Sequence, residues 1–282
     1  MNSEIHKCIF CLEESRNFST QEHIISESLG NTDDILLDSV CDKCQNYLGQ
    51  EVERFVLSKT PFAFWKTLYG TKTKNGKSPF CDLSLDKKIK GRLANFHPHS
   101  DKGMVIHAAN FNDEAIINVD FDDDNLKHQI LNGDKRTFNL VLTPKILVYI
   151  GRFLGKIALE YGRKEFEDDV FSKRFDDLRN YVRFGTTSKM WPIFNCKLKE
   201  NLLFYKDAEN GLQKRDLYHY ALYQIKSMDL SLFLFDIGNE RYGILLDKKY
   251  PEGNEFTDEF LGILLQDTDG AVNILYYDNL SD

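Results

Sequence analysis

The sequence contains no long apolar stretch. Nowhere in its 282 residues do about 18 apolar residues follow one another, which is roughly the length that a membrane-spanning helix needs. The first ten residues, MNSEIHKCIF, lack the basic region followed by a long apolar region that marks a secretory signal. Internal repeats and low-complexity segments are also missing. With 42% hydrophobic and 28% charged residues the composition is that of a globular protein. We therefore expect a cytoplasmic protein without a transmembrane helix.

Cysteine is scarce, and its arrangement argues against a disulfide scaffold. Four of the six cysteines form two Cys-x-x-Cys pairs: Cys8 and Cys11, and Cys41 and Cys44. The other two, Cys81 and Cys196, lie far apart in the sequence. Two such pairs supply the four thiolates that a closed tetrahedral zinc site needs. Ordinary buried thiols are the alternative, but we predict a structural Zn²⁺ in a reducing compartment.

A glutamate and a histidine stand side by side between the two cysteine pairs, at Glu22 and His23. A carboxylate can hold a divalent cation, and an imidazole can take a proton near neutral pH. The alternatives are a solvated glutamate ahead of a helix and a histidine that caps a hairpin or binds zinc. Because four thiolates already complete a zinc shell, we predict that His23 is free to act as a general base.

The order of these residues resembles the HNH endonuclease superfamily. It is similar in particular to the branch with four zinc-binding cysteines and a Glu-His-Ile-Ile-Pro-x-Ser-Leu-Gly segment. The segments that carry the resemblance are TQEHIISESLG at 20–30 and VCDKCQNYLG at 40–49. It covers roughly the first 55 residues. The resemblance implies a ββα-metal fold, in which a hairpin presents His23 and a helix runs from the second cysteine pair.

The resemblance also implies the chemistry of phosphodiester hydrolysis. His23 would polarise a water molecule, while Glu22 and an amide oxygen of Gln45 or Asn46 would hold one Mg²⁺ or Mn²⁺. These four residues are the predicted catalytic set. Three positions depart from the family: Gln45 stands where His or Asn is frequent, Ser26 stands where the branch has Pro, and the middle Asn is not evident. Near the place of that Asn stand Leu36 and, as the closest polar residue, Asp38.

Charge is distributed unevenly along the chain. The net charge is −8, yet residues 1–60 carry 5 basic and 11 acidic residues whereas residues 61–105 carry 9 basic and 3 acidic residues. A basic segment on an acidic body suggests contacts with phosphates, and a solvated linker is the equal alternative. The predicted nucleic-acid-binding residues are Lys72, Lys74, Lys77, Lys87, Lys88, Lys90 and Arg92. For His97-Pro98-His99 a surface loop is a better interpretation than a second metal site.

The remaining pattern predicts an α+β fold with three parts. Residues 1–60 form the zinc-bound HNH-type module, and residues 61–105 form a basic segment that connects it to the next part. Residues 106–282 form an α+β accessory domain for targeting or regulation. A helix is expected after Asp42, and a short one over 62–70. Strands are expected at 83–93, 104–108 and 115–119. A long helix is expected from Thr143 to Gly162, a shorter one around 175–185, and a hairpin at 231–246 that turns at Gly238-Asn239.

Taken together, these patterns predict a metal-dependent endonuclease acting on nucleic acid, with DNA favoured, in a defence or mobile-element system. The sequence leaves open whether the protein binds a protein partner or forms an oligomer. The alternative is a catalytically inactive zinc-binding protein that binds nucleic acid or acts as a sensor. Glu22 and His23 favour the enzyme, whereas Gln45 and the missing Asn favour the alternative.

Overall fold

A computed structural model describes residues 6–14, 16–72, 76, 79–85, 89–95, 104–107, 116–121, 132, 142–186, 190–200, 202–207, 211–249 and 256–275. The helices are α1 Asp42–Leu48, α2 Arg54–Lys59, α3 Pro61–Tyr69, α4 Pro144–Glu165, α5 Asp176–Phe184 and α6 Asp258–Leu265. The strands are β1 Glu22–His23, β2 Ile35–Leu36, β3 Phe80–Leu85, β4 Ile89–Asn95, β5 Met104–His107, β6 Ile116–Phe121, β7 Ile193–Lys197, β8 Phe204–Asp207, β9 Gly211–Lys214, β10 Tyr218–Ile225, β11 Leu230–Ile237, β12 Glu240–Leu245 and β13 Asn273–Leu275. Helices and sheets in this order confirm the α+β class.

The N-terminal module has the ββα order that the sequence predicts. Strands β1 and β2 pair antiparallel, with Glu22 opposite Leu36 and His23 opposite Ile35. Helix α1 follows directly after Cys41, which precedes its first turn. Between the strands, a 3₁₀ turn over Glu27–Leu29 ends at Gly30, whose φ of 89° is the left-handed conformation that glycine adopts readily.

The helix that the sequence predicts after Asp42 is interrupted. A π-helical turn spans Gly49–Glu53 between α1 and α2. Because a π turn holds more residues than an α turn, it shifts the face that the following residues present. Gln45, Gly49 and Glu53, each four residues apart, all line one cleft. The break therefore decides which side chains reach the candidate site.

A five-stranded antiparallel sheet forms the C-terminal part, in the order β10-β11-β12-β7-β13. The predicted hairpin is confirmed, because Ile237 pairs with Glu240 around Gly238-Asn239. Gly238 has a φ of 64°, and a Cβ there would lie 2.1 Å from the indole of Trp65. Only glycine fits this turn, since both the backbone angle and the neighbouring ring exclude a side chain.

A second, four-stranded antiparallel sheet has the order β3-β4-β6-β5. The predicted strands at 104–108 and 115–119 correspond to β5 and β6. The predicted single strand over 83–93 is wrong: Leu85 pairs with Ile89, so the chain reverses between β3 and β4. The polar sequence Asp86-Lys87-Lys88 separates the two apolar runs, and this is the signal that the prediction missed.

Helix α4 forms the centre of the molecule. Thr143 caps it by accepting a hydrogen bond from the Ile146 amide at 3.3 Å, and Pro144 occupies the first turn, as predicted. The helix ends at Glu165, three residues beyond the predicted Gly162. Apolar residues of the module, of α4 and of the sheet belong to one buried cluster, which includes Ile24, Leu154 and Phe233. The module therefore shares its core with the rest of the chain, and the domain boundaries stay a prediction.

Within the described part of the chain, no helix combines the length and the apolar character that crossing a membrane requires.

Candidate metal centre and active site

The two cysteine pairs come together as the sequence predicts. One ligand atom from each of Cys8, Cys11, Cys41 and Cys44 lies within 4.8 Å of all the others, and the Sγ atoms of Cys11 and Cys41 are 3.8 Å apart. Tetrahedral zinc with bonds of about 2.3 Å places its sulfur ligands about 3.8 Å apart. The spacing of the thiols therefore fits a structural zinc ion.

Short hydrogen bonds hold the first cysteine pair in its turn. The Leu12 amide donates to the Cys8 carbonyl at 2.9 Å, and Leu12 takes a positive φ of 59°. The Ile9 amide donates to the Ser39 carbonyl at 2.9 Å and thereby joins the first pair to the segment before Cys41. The zinc ligands are thus positioned by backbone contacts as well as by spacing.

The electrostatics of the four thiols also favour a bound cation. A hydrogen bond from Cys44 lowers the pKa of Cys8 to about 5, whereas burial raises the pKa of Cys41 to about 11. The charge of one thiolate therefore opposes ionisation of the next, since the thiols share a small buried volume. A divalent cation removes this conflict because it stabilises all four thiolates together.

A cleft of 340 Å³ lies beside strand β1 and helix α1. It is lined by β1, the 3₁₀ turn, α1 and the π turn, through Glu22, His23, Ser26, Glu27, Ser28, Gln45, Gly49 and Glu53. The structure thus brings Glu22, His23 and Gln45 of the predicted catalytic set together. It does not bring Asn46, which is exposed and lies outside this lining.

A buried ammonium group from the C-terminal part of the chain contacts two of the carboxylates that line the cleft. Lys156 of α4 is 1% exposed, and its Nζ lies 2.8 Å from Glu22, 2.9 Å from Glu53 and 2.8 Å from Glu160. Burial alone would lower the pKa of Lys156, but the three carboxylates raise it well above its usual value. Burial raises the pKa of Glu160, against the attraction of Lys156. Lys156 therefore stays charged and holds Glu22 in place.

Glu22 retains one carboxylate oxygen for another partner. Its Oε1 contacts Lys156, whereas its Oε2 is buried and has no hydrogen-bond partner in the described part of the chain. Glu22 is 5% exposed. A buried carboxylate oxygen without a partner is unfavourable unless a ligand completes it. The carboxylates of Glu22 and Glu53 are the hard oxygen donors that Mg²⁺ or Mn²⁺ prefers, so the residues fit the expected cation.

His23 is held by a carboxylate that the sequence interpretation did not include. Its Nε2 lies 3.0 Å from Oε1 of Glu27, which follows one turn later in the 3₁₀ segment. The Nδ1 atom is buried and lacks a hydrogen-bond partner among the residues described. If Nε2 carries the proton that faces Glu27, the lone pair is on Nδ1.

Gln45 uses both ends of its amide to hold the segment before β1. Its Oε1 accepts a hydrogen bond from the hydroxyl of Thr20, and its Nε2 donates to the carbonyl of Gln21 at 2.7 Å. Asp42 supports the same segment, and hydrogen bonds from Ser19 and Thr20 lower its pKa. Gln45 therefore positions β1. Its role as a cation ligand stays a prediction, as does that of Asn46.

Asn31 closes the loop between β1 and β2. Its amide nitrogen donates to the carbonyls of Ile25 at 2.9 Å and Asp34 at 3.2 Å. Its oxygen accepts from the amides of Asp33 and Asp34. The expected region near Leu36 and Asp38 does not supply these contacts: Leu36 lies in β2, and Asp38 has a φ of 52° beyond it.

The predicted nucleic-acid-binding residues lie after α3. Lys72 is exposed, and the backbones of Lys90 and Arg92 lie in β4. Lys74, Lys77, Lys87 and Lys88 lie outside the described residues, as do His97 and His99. Phosphate binding by this segment stays a prediction.

Comparison with protein families agrees with this geometry. The model of a family described as HNH endonuclease matches residues 8–60. The N-terminal module belongs to the HNH endonuclease family. The match begins at the first zinc-site cysteine and ends at the residue after α2, so it contains the whole cysteine cluster and the cleft residues of the module. Searches of curated proteins and of solved structures found no match.

The predicted catalytic set did not include several residues that the structure places at or next to the candidate active site. Glu27 stands four residues after His23, and Glu53 ends the π turn that no pattern predicted. Lys156 and Glu160 form a charged pair four residues apart on the buried side of α4. Charged residues in the buried face of a helix were the available signal, because such residues are rarely buried unless they are paired.

Proposed function

We propose that the protein is a metal-dependent endonuclease that hydrolyses phosphodiester bonds in nucleic acid, with DNA the favoured substrate. The observation that carries the proposal is the cleft in which Glu22 lies beside His23 on the HNH hairpin, with one carboxylate oxygen that has no partner among the described residues. A role in a defence or mobile-element system, and a targeting or regulatory role for the C-terminal part, stay predictions.

The catalytic cation would be Mg²⁺ or Mn²⁺ held by Glu22, with Glu53 and the amide oxygens of Gln45 or Asn46 as further candidate ligands. When bound, such an ion supplies the charge that stabilises the pentacovalent oxyanion and the leaving 3′ oxygen. Lys156 fixes Glu22 Oε1 at 2.8 Å, so the direction of the carboxylate is set before the ion arrives.

His23 would accept the proton of the attacking water. Glu27 holds the ring through Nε2 and thereby leaves the lone pair on Nδ1. After proton transfer the imidazolium charge would be stabilised by the same carboxylate, because the two groups remain 3.0 Å apart. Glu27 is therefore a positioning residue for His23.

The test is cleavage of DNA by the purified protein with added Mg²⁺ or Mn²⁺. We expect cleavage by the parent protein and a fall of about 10²–10⁴ in His23→Ala, the usual contribution of a positioned general base. Zinc content and melting temperature should stay at the parent values. Gln50→Ala is the matched control, because Gln50 is exposed, lies outside the cleft and has no predicted role, so its rate should stay near that of the parent.

Two outcomes would overturn the nuclease proposal: no cleavage of DNA or RNA by the parent protein with either ion, or equal rates for the parent and His23→Ala. A second candidate function, a catalytically inactive module that binds nucleic acid, has one observation in its favour. The amide of Gln45 is bound to Thr20 and Gln21 rather than left free for a cation. Binding without cleavage would support this second function.

A further inference from the structure

A second cavity adjoins the candidate active-site cleft. It has a volume of 460 Å³ and shares Ser26, Ser28, Gly49 and Glu53 with the cleft. Arg54 and Lys66 line the part that is not shared. The two cavities therefore form one trough, with carboxylates at one end and two basic side chains at the other.

Lys66 occupies a position where an apolar residue is expected. Helix α3 begins with Thr60 as its cap and buries Phe62 and Ala63. Lys66 follows Phe62 by four residues, so it lies on the same inward face. It is 7% exposed, and burial lowers the pKa of its ammonium group. Within the described part of the chain, no acidic side chain pairs with it.

Arg54 stands beside Lys66 in the wall of the second cavity and is exposed. No ion pair of its guanidinium is found within the described ranges. Glu53 is the one acid among the described residues that line this cavity, and its carboxylate contacts Lys156 at 2.9 Å. The basic end of the trough thus carries two positive charges for which the described residues provide no ion-pair partner.

We propose that the second cavity binds a phosphate group of the nucleic-acid strand next to the phosphate that is cleaved. Lys66 and Arg54 supply the charge, and the hydroxyl groups of Ser26 and Ser28 line the passage between the two positions. This inference rests on the proposed nuclease function. Every nucleotide carries one phosphate, so a strand with its scissile phosphate beside His23 presents another phosphate along the trough.

The charge pattern also gives the strand a preferred path. The end at Glu22 and Glu27 repels a phosphate until a cation is bound, whereas the end at Lys66 and Arg54 attracts a phosphate without a cation. Nucleic acid would therefore contact the basic end first. A cation held by Glu22 would supply the positive charge that lets the neighbouring phosphate lie beside His23.

Lys66→Met separates a role in binding from a role in structure. Methionine keeps the length of the buried stem but removes a charge that has no partner among the described residues. A lysine that served the fold would lower the melting temperature when replaced. If Lys66 instead serves to bind a phosphate, its buried unpaired charge lowers the stability of the free protein. Replacing it should then leave the melting temperature unchanged or raise it.

The experiment measures binding of fluorescein-labelled DNA at several salt concentrations, with Mg²⁺ present. All proteins carry His23→Ala, so that the strand stays intact. Lys66→Met should weaken binding about tenfold, the effect of one lost charged hydrogen bond. It should also reduce the slope of log K against log salt by about 0.7–0.9. Arg54→Met should act in the same direction.

Lys59→Met is the matched control. Lys59 ends α2, is exposed and lies outside both cavities, so affinity and salt slope should change little. If the His23→Ala protein binds DNA in a salt-dependent manner but Lys66→Met binds equally well, the phosphate subsite is wrong and the nuclease proposal stands. If no protein binds DNA, the phosphate subsite is wrong, and the nuclease proposal is decided by the cleavage assay alone. If Lys66→Met weakens binding but the protein with His23 intact does not cleave nucleic acid, the phosphate-binding cavity is supported and the nuclease proposal is overturned.

Discussion

Glu22 and His23 are neighbours on a strand, yet their side chains have different surroundings. Successive residues of a strand point to opposite faces. Glu22 accordingly points inward to Lys156, whereas His23 is partly exposed and contacts Glu27. On the buried face of β1, the carboxylate of Glu22 has a fixed direction. On the other face, the partly exposed imidazole of His23 lines the cleft that a substrate would enter.

Replacement of a single cysteine tests the structural metal at the residue scale. In Cys41→Ser we expect loss of zinc, a lower melting temperature and loss of any nuclease activity together, because three thiolates and a hydroxyl bind zinc poorly. Metal analysis and thermal unfolding of the same preparation measure this. Cys196→Ser is the matched control: it also replaces a buried free cysteine, but in β7, and it should keep its zinc.

The residues that the sequence could indicate are those that form local motifs. Each cysteine pair is a local motif, and Glu22-His23 is one dipeptide, so spacing alone indicated them. Lys156 contacts Glu22 across 134 positions, and no local pattern determines which helix crosses below β1. Glu53 depends on the π turn, which a count of 3.6 residues per turn does not predict.

At the scale of elements, α4 is both the central core helix and part of the candidate site. Thr143-Pro144 and the apolar spacing predicted this helix nearly to its ends. Its role in the site was not predicted, because a lysine and a glutamate four residues apart also occur as an ordinary surface pair, and their position on the apolar face was the one signal against that interpretation. Burial makes them different: Lys156 and Glu160 are 1% and 0% exposed.

Lys156→Met should therefore destabilise the protein strongly in the absence of divalent cations. It leaves the carboxylates of Glu22, Glu53 and Glu160 without their buried counter-ion, which costs about 3–5 kcal/mol. Added Mn²⁺ should restore part of the melting temperature, since a cation can take the place of the ammonium group among the three carboxylates. Thermal unfolding with and without Mn²⁺ measures both effects.

Lys164→Met gives the comparison on the same helix. Lys164 pairs with Asp34 at 2.5 Å, but its side chain is 43% exposed. A pair of this kind contributes about 0–1 kcal/mol, so the melting temperature should fall slightly and Mn²⁺ should restore nothing. Equal melting of Lys156→Met and Lys164→Met would show that the buried carboxylates do not depend on the ammonium group.

At the scale of the whole molecule, polar contacts join the HNH module to the rest of the chain at several points. Arg179 of α5 donates to the carbonyl of Ile9 at 2.7 Å. Tyr47 of α1 donates to the carbonyl of Arg183 at 2.7 Å and accepts from Arg152 at 2.9 Å. Tyr220 of β10 donates to the carboxylate of Asp34. The zinc centre, α1 and the loop between β1 and β2 are thus each fixed from outside the module.

The module should therefore not fold alone, even when zinc is supplied. A chain of residues 1–60 retains all four cysteines, so we expect it to bind one zinc ion. Its strands have two residues each, however, and Ile24, Leu48 and Val52 would lose the buried surface that they share with α4. Glu22 would also lose Lys156. Zinc analysis together with NMR dispersion should show a metal-bound chain without fixed tertiary structure, whereas the full chain with zinc should unfold cooperatively. A dispersed spectrum and a cooperative transition for residues 1–60 would mean that zinc and the module's own contacts are sufficient, and that α4 serves the candidate site rather than the fold.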